Sequence, residues 1–173
     1  MTLAFRALLS LCLVLCCMAR AGAQTPGASA SGQASAEFVT SAYSSALLQQ
    51  KAAEIAAASD IRPEARQYAQ DMAGFRSAQL QRLATLAAES KATLPAAPNF
   101  EQQVLIDNLK PLEFLALARR YMELQVQTLE QEIGAYATVR ADEPVLGPFV
   151  GEYLPLLRER LAQGREVLQA VGL

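Results

Sequence analysis

The chain has 173 residues, with 15 basic against 17 acidic side chains, a formal net charge of −2, and neither histidine nor tryptophan. That mild acidic balance gives no concentrated basic face and argues against a nucleic-acid partner. The lack of histidine removes the usual general base and the commonest transition-metal ligand.

The first stretch has the order of a secretory leader. Arg6 supplies a short positive region, Ala7 to Met18 is an apolar run interrupted by Ser10, and Ala21-Gly22-Ala23 places small residues at a peptidase site. Residues 1–23 are therefore expected to be a signal peptide, cleaved before Gln24. The run is about a dozen residues, short of the roughly 20 a membrane span needs. All three cysteines, Cys12, Cys16 and Cys17, lie within it. Leu15 before Cys16, and Cys16 before Cys17, do not suit lipidation. Cleavage removes Arg6 and Arg20 and no acid, which leaves 13 basic against 17 acidic residues, a balance of −4, and no thiol.

Residues 24–35 read QTPGASASGQAS. They are small, polar and uncharged, too poor in apolar surface to order themselves, and are expected to form a flexible linker. Residues 36–173 suffice for one core. They are rich in strong helix formers and show no period-two alternation, so the fold class is all-α.

A first helix is predicted over about Ala36 to Ala58, with Phe38, Ala42, Ala46, Gln49, Ala53 and Ala56 on one face. Asp60 to Pro63 breaks it, and Pro63 suits the first turn of the next. The second helix, about Pro63 to Ser90, has its seam at Ala69, Met72, Arg76, Gln79, Leu83 and Leu86, widened by Tyr68, Phe75 and Leu80. Leu94 to Pro98 ends it, and Asn99 can cap a short helix over Phe100 to Leu109. A third long helix over about Pro111 to Val139 repeats Leu115, Ala118, Met122, Gln125, Leu129, Ile133 and Tyr136. Gly147 and Pro148 interrupt a weaker segment over Val145 to Tyr153. A last helix repeats Leu154, Leu157, Leu161, Gly164, Leu168 and Val171, with Pro155 either opening it or kinking a longer one from near Pro144. Four long helices with short connections predict an antiparallel four-helix bundle with a short extra helix.

Sites of known chemistry are hard to find. Glu123, Glu130 and Glu132 on one helix, and Glu152 and Glu159 on another, lie mostly off the seams and read as a solvated charged face. Ser44, Ser45, Ser77 and Ser90 have no histidine to activate them, and no glycine-rich phosphate loop is present. Tyr43, Tyr68, Tyr121, Tyr136 and Tyr153 fall at helical spacing as core or seam-edge residues. The residues that do not fit are Gln49, Arg76 and Gln79, polar at seam positions, with Arg160 beside the Leu157/Leu161 seam. Arg76 must either snorkel outward or find a carboxylate or the Gln49 and Gln79 amides, because an unpaired buried charge is too costly.

The order of Phe38-Val39 with Ala42, Ile55-Ala56, Pro63-Glu64, Tyr68-Ala69-Gln70 and Met72 resembles the bacterial domain-of-unknown-function family numbered 4142. So do Leu94-Pro95, Arg119-Arg120-Tyr121 with Gln125-Val126, and Leu154-Pro155-x-Leu157-Arg158-Glu159. The resemblance implies an exported, periplasmic or outer-membrane-associated protein with a ferritin-like bundle, and no known reaction. The family pattern carries glutamate at Gln49, histidine at Arg76, aspartate at Ala118, and histidines at Leu129 and Arg160. If those positions form a metal or proton-relay site, this chain has dismantled it. The expectation is a non-catalytic interaction or structural module of the cell envelope, with no cofactor and no bound metal. An unidentified protein or a second copy is the expected partner, and peripheral membrane association stays open. The competing class is a metal-binding or redox- or stress-related ferritin-like protein.

Overall fold

The computed structural model describes residues 26–172, which form five α-helices and no strand. The expected signal peptide, and Gln24 and Thr25 of the expected linker, lie outside the described residues. The helices are α1 (Pro26–Ala58), α2 (Pro63–Ser90), α3 (Phe100–Asp107), α4 (Phe114–Ala137) and α5 (Gly147–Gly172).

The largest correction to the sequence reading is at α1, which begins at Pro26 rather than near Ala36, so most of the expected linker is helical. Composition alone gives that segment no apolar face. It nevertheless lies against the α4–α5 connection, where Ser35 is buried and its hydroxyl donates to Glu143 Oε1 at 3.0 Å. A polar contact of that kind leaves no trace in hydrophobic periodicity.

The helix ends follow local chemistry. Pro63 occupies the first turn of α2, which closes at Lys91 in the left-handed region, with φ at 56°. Asn99 caps α3 with a complete capping box: its side chain accepts from the Gln102 N–H, and the Gln102 side chain accepts from the Asn99 N–H. Helix α4 starts at Phe114 instead of Pro111, and Leu115, expected on the seam, is 49% exposed. Leu117 and Tyr121 take the inward place instead. Helix α5 also differs from expectation. Gly147 and Pro148 open the helix rather than interrupt it, and it runs on through Pro155. Glycine is required at 147, where a Cβ would stand 2.5 Å from the Ala141 carbonyl oxygen.

The two pairs α1/α2 and α4/α5 have the most extensive interfaces, and they meet through α1 with α4 and α2 with α5. Alanines line the α1/α2 interface: Ala42, Ala46, Ala53 and Ala56 of α1 and Ala65 and Ala69 of α2 are all buried. Between α2 and α5 the close approach is at Gly164, where a Cβ would meet Tyr68 Oη at 2.9 Å. An aromatic cluster of Phe38, Tyr136, Phe149 and Tyr153 closes one part of the core, with Phe149 and Tyr153 stacked at 4.7 Å. Among the described residues no helix is long and apolar enough to cross a membrane.

Candidate functional site

Helical spacing carries four polar side chains inward from three helices. Gln49 comes from α1, Arg76 and Gln79 from α2 one turn apart, and Glu132 from α4. Each except Glu132 is 0% exposed, and Glu132 is 5% exposed. The Arg76 guanidinium is the centre. Its Nη1 lies 2.9 Å from Glu132 Oε2 and donates to Glu132 Oε1 at 3.0 Å and to Gln79 Oε1. Its Nη2 donates to Gln49 Oε1 at 2.6 Å. The amides then turn their donors on the same carboxylate: Gln49 Nε2 donates to Glu132 Oε2 at 3.1 Å, and Gln79 Nε2 to Glu132 Oε1 at 2.9 Å. Gln79 Nε2 also reaches Tyr136 Oη at 3.0 Å, and Gln125 Nε2 reaches the Gln49 carbonyl at 3.3 Å. Gln49 and Gln79 thus each bridge the two ends of the ion pair, oxygen on the cation and nitrogen on the anion. That satisfies a buried charge pair that would otherwise be too costly to desolvate.

The surroundings are apolar and aromatic. The Arg76 guanidinium carbon is 5.2 Å from the centroid of the Phe75 ring, and that of Arg160 is 5.5 Å from the same ring. Burial pushes the Tyr121 and Tyr136 phenols well above their ordinary value, and the Glu132 charge adds to the rise at Tyr136. Burial likewise pushes Tyr68 up to about 12. Tyr68 donates to the Arg160 carbonyl at 3.0 Å. Among the described residues, four buried side-chain polar atoms have no hydrogen-bond partner: Arg66 Nε, Arg76 Nε, Tyr121 Oη and Gln125 Oε1.

Of the positions singled out by the family resemblance, the structure brings Gln49 and Arg76 into direct contact. Ala118 and Leu129 are buried on the inward face of α4, and Arg160 is half-buried, hydrogen-bonded to Gln163. The Gln49 and Gln79 amides expected as partners for Arg76 do bind it, and the carboxylate that the sequence leaves unnamed is Glu132. The expectation that Glu132 shares a solvated face with Glu130 is corrected by the structure: Glu132 is in the core. Its spacing holds the signal, since Gln125, Leu129, Glu132 and Tyr136 step by four, three and four along α4. Glu130, Glu152 and Glu159 are exposed as expected.

A ferritin-like frame implies a metal held by inward carboxylates and histidines. The residues here do not fit one. The layer offers a single carboxylate, and both of its oxygens already receive hydrogen bonds from Arg76, Gln49 or Gln79. Among the described residues no three His, Cys, Asp or Glu side chains come together.

Residues 19–167 match the family described as domain of unknown function (DUF4142). The chain belongs to this family. No curated protein and no solved structure matches it. The buried Gln49–Arg76–Gln79–Glu132 layer is thus one member's way of filling the interior of the DUF4142 domain.

Proposed function

We propose that this DUF4142 protein is an exported, non-catalytic interaction or structural module of the bacterial cell envelope, built as an antiparallel, ferritin-like four-helix bundle whose interior site is degenerate. The observation that carries the reading is the Arg76 guanidinium, fully buried and bound to the one carboxylate of the layer. A resident cation beside Glu132 opposes a second cation there by direct repulsion. Export rests on the leader-like order of Arg6, the apolar run and Ala21-Gly22-Ala23.

Elemental analysis of the purified, processed protein tests the degenerate site. The expected result is no stoichiometric iron, zinc or manganese. One or two tightly held ions per chain would instead support the metal-handling class. Mass spectrometry of envelope-fraction protein tests export. The expected N-terminus is Gln24, and an intact Met1 overturns it.

A further inference from the structure

We infer that the oxygen cage around Arg76 is a guanidinium-binding site in its own right, which the chain fills with its own side chain. The inference deepens the degenerate-site reading and rests on the same buried layer. Four oxygens surround the two terminal nitrogens: Gln79 Oε1, Gln49 Oε1, and Glu132 Oε1 and Oε2. Both Glu132 oxygens lie on Nη1 at 2.9 and 3.0 Å, and Gln49 Oε1 lies 2.6 Å from Nη2. The oxygens come from three helices and are shared between two nitrogens, an arrangement that matches a planar, forked donor better than a point charge. The Phe75 ring at 5.2 Å adds an aromatic face, a second feature selective for a weakly hydrated, delocalised cation.

A cavity of about 160 Å³ lies between α1 and α4, lined by Phe38, Ser41, Ser45, Gln131 and Tyr136, and it borders the cage at Glu132. Ser45 Oγ accepts from Gln49 Nε2 at 3.3 Å, so the same polar layer meets the cavity wall. A cavity of that size takes a molecule as large as benzene. The ligand class is an alkylguanidinium, the chemistry of an arginine side chain, admitted once Arg76 has left.

The test is Arg76→Ala, which removes the equivalent of N-ethylguanidinium from the core. Its melting temperature should fall by on the order of 10 °C, because Glu132 is left buried and unpaired. N-Ethylguanidinium at a few millimolar, far below denaturing strength, should restore about 3 °C or more at tenfold over its Kd, saturably. Ethylammonium, Mg²⁺ and Ca²⁺ should restore less, and the unaltered protein should not respond. If Arg76→Ala does not fold alone, helical circular dichroism regained on refolding with N-ethylguanidinium serves as the readout. No recovery in either form overturns the proposal, as does equal rescue by Ca²⁺ or Mg²⁺. Equal rescue of the Arg76→Ala/Glu132→Gln double variant also overturns it, since that variant lacks the anion. Metal analysis of the unaltered protein is independent of all these outcomes, so the two readings fail separately.

Discussion

Glu130 and Glu132 stand two residues apart on α4, and each holds an arginine from another helix. Arg165 of α5 lies 2.7 Å from Glu130, and Arg76 of α2 lies 2.9 Å from Glu132. The distances are nearly the same, but the settings are opposite. The side chains of the first pair are 57% and 47% exposed, those of the second 0% and 2%. Water already solvates each partner of the outer pair, so their attraction adds little. The inner pair has lost its water, and its two glutamine bridges replace that solvation. Distance alone therefore does not rank these pairs; the cost of stranding one partner does.

The largest expected effect comes from stranding Arg76. Glu132→Ala should cost about 3–5 kcal/mol, read as a loss of chemical-denaturation midpoint at unchanged slope. A cost below about 1 kcal/mol would mean that the inner pair behaves like the outer one. Replacing both partners, Arg76→Met with Glu132→Leu, should recover only part of that loss: apolar groups of similar volume often match a buried pair, but the buried Gln49 and Gln79 amides then lose partners.

Alkaline pH tests the same burial through Tyr68, Tyr121 and Tyr136. Their folded-state values are raised, Tyr68 to about 12, so the folded chain holds the protonated phenol. Stability from this source is complete below the unfolded value near 10 and falls as pH climbs through the folded values. The slope should be about 1.4 kcal/mol per pH unit for each tyrosine. Denaturation midpoints measured from pH 9 to 12 would show it, and a flat profile would contradict sealed phenols.

Between the extremes lies a neutral contact. Tyr68→Phe removes the hydrogen bond to the Arg160 carbonyl and should cost about 1 kcal/mol. The smallest effect should come from Glu130→Gln, under about 1 kcal/mol and vanishing at high salt. A salt-insensitive loss at Glu130 would remove the contrast from which these expectations start.

Much of the fold was legible in the sequence. The α2 bounds, Pro63 to Ser90, came from a proline start and a repeat of three- and four-residue steps, and every predicted seam residue from Ala69 to Leu86 is buried. The Asn99 cap was legible because its chemistry is local. The N-terminal part of α1 was not, because Ser35 is ordered by Glu143, a residue 108 positions away. Leu115 failed for a related reason: periodicity puts it on the stripe, but it lies in the first turn of α4 and is left exposed.

The site divides in the same way. The sequence by itself determined that Gln49, Arg76 and Gln79 turn inward, since a helix's period decides which way a side chain faces. It left Arg76 two outcomes, snorkelling to water or pairing inside, since a bare buried charge is too costly. Only the tertiary structure decided that the acceptor is Glu132 and not Glu130, and that both glutamines bridge the pair. Those choices depend on how α1, α2 and α4 are rotated and set in height against one another. Packing across the whole core fixes those relations, and no local window of sequence contains them.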